Sequence, residues 1–194
     1  MDRQEDTAAR CREAFVARLM DVGYSQVRMG DVARQAGVSR PTLYRYYHSR
    51  EELFRATADA MFEEFYDQAG PYLENFDDSL SMALNFMAAT VAYHNPRLIR
   101  ALVDSGADDI FTSQLRKYFA RMVGSMLRQK GQPPIHSGKL SLLTALLAGA
   151  CFHTVRQWLR DDWKQSPREV SEVLTQCFNG QLVQVLLQPV SQTD

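Results

Sequence analysis

Val32-Ala33-Arg34-Gln35-Ala36-Gly37-Val38-Ser39-Arg40-Pro41-Thr42-Leu43 is the stretch on which the reading of this chain turns. Gly37 supplies a residue that takes a left-handed backbone, which a sharp turn between two helices requires. Ala33, four positions earlier, is small enough for a second helix to cross closely. Val32, Ala36, Val38 and Leu43 provide apolar contacts that lock the pair. Ser39 suits the N-cap of the second helix, with Val38 and Leu43 at the two positions of a hydrophobic staple. These offsets predict a helix-turn-helix, with helices near Met29 to Ala36 and from Arg40 to Tyr47. A coincidental helical hairpin would share the spacing, so the surrounding chemistry has to be weighed with it.

That chemistry is basic and all arginine. Five arginines and one acid, Asp31, lie between Arg28 and Arg50, and no lysine occurs before Lys117. Arginine binds phosphate and guanine through a planar fork, whereas lysine acts as a point charge. An arginine segment interleaved with Tyr44, Tyr46 and Tyr47 therefore suits DNA; a solvated charged face is the plainer alternative. Through Arg55 there are ten arginines and eight acids, a balance of +2, so with a net charge of -1 the remainder carries -3. Any DNA contact must be local, because a near-neutral chain is not a general nucleic-acid coat.

Outward from the motif, apolar residues recur at helical spacing almost throughout, with no repeat or low-complexity tract, so the chain reads as all-α. A first helix carries Cys11, Ala14, Phe15, Arg18, Leu19 and Val22 and stops at Gly23. Ser49 with Glu52 makes a capping box that opens a longer helix with the stripe Leu53, Phe54, Thr57, Met61, Phe65 and Ala69. Beyond Gly70-Pro71, helices are expected at 78–94, 96–104, 108–130, 137–162 and 167–188. Asn95-Pro96 and Ser166-Pro167-Arg168-Glu169 signal two of their starts. Nothing ionic lies between Asp78 and Arg97 or between Lys139 and Arg156, so both helices must be surrounded by protein.

The composition, 45% hydrophobic against 23% charged over 194 residues, is that of a globular protein with a real core. Cys11, Cys151 and Cys177 fit neither a disulfide framework nor a thiolate zinc site. Met1 to Asp6 lacks the apolar core of a signal peptide, and the apolar stretch from Leu140 to Phe152 reads as too short and interrupted for a membrane span. A cytoplasmic protein without membrane association is expected.

Gly23-Tyr24, Asp31-Val32-Ala33, Ala36-Gly37-Val38-Ser39, Thr42-Leu43-Tyr44-Arg45-Tyr46-Tyr47 and Ser49-Arg50-Glu51-Glu52-Leu53-Phe54 together resemble the DNA-binding domain of the tetracycline-repressor (TetR) family of bacterial transcription regulators. The motif match covers about residues 10–55, and the rest resembles the family only in architecture. The resemblance implies a three-helix DNA-binding domain over 1–50 and a helical ligand-binding and dimerisation domain over 51–194. It implies a repressor that binds a palindromic operator as a homodimer through its last two long helices, released by a small molecule. By the family's pattern Tyr44, Tyr46 and Arg50 meet phosphate, Thr42 and Arg45 read bases, and Arg40 does either. Tyr47, where the family usually has Phe, is a core residue. Val27-Arg28 replaces the usual hydroxyl cap, leaving Arg28 to reach phosphate or lie solvated.

No nucleophile elbow, dinucleotide fingerprint, phosphate loop or His-x-x-x-His pair is present, so no enzyme, cofactor or metal is expected. His94, His136 and His153 are isolated, and Asp104, Asp108 and Asp109 read as a solvated loop. Phe62, Phe65, Phe86, Met87, Tyr93, Phe119, Met122 and Phe152 would serve either an ordinary core or an adaptable apolar pocket. Such a pocket would take a largely apolar or aromatic effector. Ala145, Ala148, Gly149 and Ala150 permit close helix approach, and with the stripe Val170, Leu174, Phe178, Leu182 and Val185 make an intersubunit four-helix bundle the expected dimer. Two alternatives stay open: a DNA-binding protein without an inducer, and an enzyme or small-molecule carrier with a vestigial helix-turn-helix.

Overall fold

The computed structural model describes residues 3–73, 92–129 and 131–177. Among these it contains helices and no strand: α1 (Arg3–Gln26), α2 (Met29–Gln35), α3 (Arg40–Tyr46), α4 (Arg50–Leu73), α5 (Pro96–Val103), α6 (Asp108–Gln129), α7 (Ser137–Arg160) and α8 (Pro167–Cys177). By packing the chain divides into two compact units. One is Met1–Glu64 with Asn95–Gln114, and the other is Phe65–His94 with Leu115–Asp194. The division falls inside α4 and α6 rather than at residue 50. The expected 78–94 helix, with Phe86 and Met87, lies outside the described residues except for its last turn, 92–94, as do residues 178–188 of the last expected helix.

The first unit is built around the aromatic edge contacts of Phe54. Its ring stands 6.2 Å from Phe15 and 5.5 Å from Tyr24, both near-perpendicular. Cys11, Ala14, Leu19, Val32, Ala33, Leu43 and Leu53 close the core around them. Each fully buried Phe or Leu of this kind contributes roughly 1.5–3 kcal/mol of transfer free energy. Of the expected α1 stripe, Val22 is exposed rather than buried. Gly23, at φ 70 and ψ 163, breaks α1 where the sequence placed its end, and only a short turn continues to Gln26. That break presents the Tyr24 N–H to the carbonyl of Ser105, at 2.9 Å. Helix α5 packs against α1 within this unit, burying Ile99, Ala101, Leu102 and Val103.

Helix ends follow their chemistry with two corrections. Ser39 accepts from Thr42 N at 3.2 Å, and Ser166 and Glu169 exchange both bonds of a capping box, 2.7 Å one way and 3.3 Å the other. At α4, Glu52 N donates to Ser49 Oγ at 3.0 Å, but the Glu52 carboxylate reaches past Ser49 to the His48 N–H at 2.7 Å. Asn95 makes no side-chain cap, because its backbone at φ -116 and ψ 49 is not the extended conformation a capping side chain needs. Asp104 ends α5 while Asp108 and Asp109 occupy the first turn of α6, so the three acids belong to helix termini rather than one loop.

In the second unit Val123 and Leu127 of α6 pack with Leu143 of α7, joined by Ile135, Leu140 and Leu147. Helix α7, 24 residues long, is apolar enough to cross a membrane by length and composition alone, a property it shares with core helices of soluble proteins. Its faces differ sharply. Ala148, Phe152, Trp158 and Leu159 are buried in the chain's own core, while Leu142 is 76% and Leu146 58% exposed, with Val173 of α8 at 56%. Ala148 is therefore core and not part of an open face.

Candidate nucleic-acid interface

The turn that sets α3 on α2 has the hydrogen bonds expected of a glycine C-cap. Gly37 sits at φ 66, its N–H donates to Arg34 O at 3.2 Å and that of Val38 to Ala33 O at 3.0 Å. Arg10 of α1 ties the turn down from outside, its Nη2 donating to the carbonyl of Ala36 at 2.6 Å. Leu43 and Val32 are fully buried at the crossing. Once Leu43 points inward, helical geometry turns Arg40, Pro41, Tyr44 and Arg45 outward, and all four are exposed. That face is the one free to enter a groove.

Each residue singled out in the sequence has a definite place. Arg28 is exposed at the N-cap of α2 and makes no capping bond. The guanidinium of Arg40 lies over Gly30, so closely that a Cβ there would collide with it. Thr42 is half-buried, its hydroxyl 2.8 Å from Ser39 Oγ beside the cap. Arg45 lies 5.3 Å from the Tyr46 ring centroid. Tyr47 is buried, with Arg12 donating to its hydroxyl at 3.1 Å. Asp31, the one acid in the arginine segment, is paired with Arg34 at 2.5 Å. Among the described residues Arg28, Arg40 and Arg45 have no carboxylate partner, so the positive charge of this face is not cancelled locally.

Arg50 is more tightly held than the sequence suggests. Its Nη1 donates to Ser25 O at 2.7 Å and Val27 O at 3.4 Å, and the guanidinium stacks 4.3 Å above Tyr24. The plane is thereby oriented while Nε and Nη2 keep their donors, a geometry suited to a second, bidentate acceptor. Sequence reasoning missed the internal use of Arg10 and Arg12, which read only as positive charge. It also missed the α5 contact, for which no local signal exists. A further polar link within this unit was equally invisible: Arg55 donates to Oε1 of buried Gln114 at 3.1 Å, and Gln114 Nε2 donates to Asp59 at 2.5 Å.

Of the residues named for a pocket, Phe86 and Met87 lie outside the described residues, and the others are seen within their own units. Phe62 meets Phe111 in the first unit, ring centroids 5.7 Å apart. In the second unit Phe65 meets Tyr118 at 5.4 Å, Tyr118 meets Phe119 at 5.7 Å, and buried Met122 lies one turn further along α6. Tyr93 keeps different company, 6.2 Å from Trp158 and 6.1 Å from Trp163. Phe152 is buried under the Arg156 guanidinium. No group of histidine, cysteine or acidic residues placed to hold a metal occurs among the described residues. Burial pushes the Cys151 thiol up to about 11 and raises Cys11 as well, which suppresses both thiolates as nucleophiles.

A profile of bacterial regulatory proteins of the tetR family matches residues 16–57, and a transcriptional regulator C-terminal region matches residues 83–180. The chain belongs to the TetR family. It is thus a DNA-binding transcriptional regulator of that family. Among curated relatives, the nucleoid occlusion factor SlmA of Aliivibrio fischeri (strain MJ11) is 23% identical over 157 residues, covering 76% of this chain and 80% of the relative. The Vibrio cholerae protein of that name is 24% identical, covering 75% and 79%. Among solved structures, FadR from Bacillus subtilis in complex with stearoyl-CoA superposes with a TM-score of 0.68 at 16% identity, covering 89% of this chain and 97% of its own. NalD of Pseudomonas aeruginosa, the secondary repressor of the MexAB-OprM multidrug efflux pump, gives 0.60 at 16%, covering 96% and 98%. At such identities these structures share the TetR-family fold with this chain.

Proposed function

We propose that this regulator is a cytoplasmic repressor that binds a palindromic operator as a homodimer and is released by a small, largely apolar or aromatic effector. The observation that carries the DNA half is the outward face of α3, with Arg40, Tyr44 and Arg45 exposed and no carboxylate set against the two arginines among the described residues. Arg45 reads a base edge, with Thr42 beside it. Tyr44, Tyr46, Arg28 and Arg50 hold phosphates, and Arg40 serves either role. A bidentate arginine discriminates between bases, whereas phosphate contacts set register and carry no sequence information.

The homodimer reading is supported by Leu142 and Leu146 of α7 and Val173 of α8, large apolar side chains left more than half exposed on the two helices proposed to form the interface. A two-fold axis through α7 and α8 would cover them and hold two heads one or more turns of DNA apart, about 34–36 Å per turn. The effector reading is supported by the aromatic rings of α4 and α6. Its coupling runs through α4, which begins at Arg50, and through α5, which packs on α1. An effector acts only by preferring one head spacing over the other, and a tenfold preference shifts the equilibrium by about 1.4 kcal/mol. Selection from a randomised duplex pool, repeated with apolar and with charged candidate compounds, tests the whole. No enriched sequence removes the operator; charged compounds alone releasing it removes the ligand class. One second reading is a DNA-binding protein that needs no inducer. An operator complex that no compound dissolves would support it.

A further inference from the structure

His48 lies just beyond α3, after the extended C-cap residue Tyr47, and like Pro41, Tyr44 and Arg45 it is exposed. No motif reading of the sequence gave it a role. Its Nδ1 lies 2.9 Å from the carbonyl oxygen of Tyr44. A carbonyl only accepts, so Nδ1 carries the proton and the neutral ring holds its lone pair on Nε2. Its own backbone N–H donates to Glu52 Oε2 at 2.7 Å, which fixes the Cα as well. The ring is thus held at both ends of its side chain, and Nε2 has no partner among the described residues.

We propose that His48 is a further contact to the DNA backbone, made through Nε2 and only in the imidazolium form. The inference rests on the DNA-binding reading of this face. In the neutral ring Nε2 offers a lone pair, which an anionic phosphate oxygen repels. Protonation turns the same atom into a charge-assisted donor without moving the ring, because Nδ1 stays bonded to Tyr44. Duplex binding then takes up a proton at each head, and affinity rises as pH falls. The charged groups around this corner are Glu52 and Arg50 of α4, Arg45 of α3 and Arg12 of α1. Glu52 is engaged by the His48 backbone N–H, and the three guanidiniums are turned elsewhere: Arg50 to Ser25 and Tyr24, Arg45 over Tyr46, Arg12 to the Tyr47 hydroxyl.

A backbone contact is sequence-independent, so a random-sequence duplex of about three helical turns is a sufficient probe. Full-length wild type, His48→Gln and His48→Lys are titrated with it over a range of salt, near pH 5.5 and near pH 8, bracketing the range in which imidazole ordinarily titrates. For wild type the plot of log affinity against log salt should steepen at the acid pH by about 0.9 per head, one released counterion. His48→Gln should lose that change, and His48→Lys should keep the steep slope at both pH values. A His48→Gln slope that changes with pH as wild type does would overturn the proposal. Absence of duplex binding by wild type at either pH would instead overturn the DNA-binding assignment of the face as well.

Discussion

Replacing Leu146 by alanine isolates the face on which dimerisation is proposed to rest. Leu146 is 58% exposed in the single chain, so its removal leaves the protomer core intact. The substitution deletes about three carbon groups, worth roughly 0.8 kcal/mol each when fully transferred from water. Scaled by the exposed 58%, one copy forfeits about 1.4 kcal/mol of interface burial. A two-fold interface uses every residue twice, so the dimer loses about 2.8 kcal/mol, or roughly a hundredfold in dissociation constant. Sedimentation equilibrium over a concentration series reads that change directly, with a denaturant midpoint of the monomer as the control for folding. Operator affinity should fall in parallel, because two heads are needed. Leu146→Glu adds a buried like-charge pair and should give monomers at concentrations where wild type is dimeric. If both variants sediment as unaltered dimers, α7 is not the interface. Ala148→Glu, by contrast, is expected to unfold the protomer itself, since that side chain is 1% exposed.

Three further outcomes are expected. Arg45→Ala should cost roughly 1–3 kcal/mol on the preferred site and flatten base preference at one position, whereas Tyr44→Phe should weaken all sequences alike; selection from a randomised pool separates them, and equal losses on every sequence for Arg45→Ala would take it out of the reading set. Gly37→Ala should destabilise by roughly 1–2 kcal/mol, because the residue holds φ 66 and its new Cβ would stand 3.2 Å from the Arg10 guanidinium; an unshifted urea midpoint would show that the turn is not strained by a side chain. The Glu169 carboxyl is held below its ordinary value of 4.5 by hydrogen bonds from the Ser166 backbone and side chain. A depressed folded-state value means a stabilisation fully present above about 4.5 and lost as pH falls through the folded-state value, so wild type and Glu169→Gln should differ in melting temperature near neutrality and converge in acid; a gap that persists in acid would contradict the capping account.

How much was legible in the sequence follows the range of the interactions. The head was readable because Gly37, Ser39 and Leu43 act within six positions of one another, where backbone stereochemistry leaves little choice. Arg10, Arg12 and Arg50 looked alike in composition, yet they grip partners 25 to 35 residues away, and nothing in a guanidinium's identity says whether it will meet a carbonyl or a phosphate. Helix α7 failed for a different reason. With no charge between Lys139 and Arg156 the pattern has no polar side to set its phase, so Ala148 and Leu146 were indistinguishable as inward or outward positions. Asn95 shows the limit of local signals: the residue type was right, but the cap depends on a backbone angle that packing of α5 decides.

The hydrogen bond from Tyr24 to Ser105 closes a segment of about eighty residues, and it has a bearing on synthesis at the ribosome. The first unit cannot be completed when residue 64 emerges, because its remaining piece, Asn95–Gln114, is encoded after the intervening segment. At about 5–20 residues per second, the surface of α1 that α5 later covers stays wet for roughly 2.5–10 seconds. During that interval the nascent head presents an apolar strip without its cover, which makes it a client for chaperones and a hazard for neighbouring chains. Release of a truncated chain ending after α4 would therefore yield a head whose helix-turn-helix is spelled out in full but whose core is missing a wall.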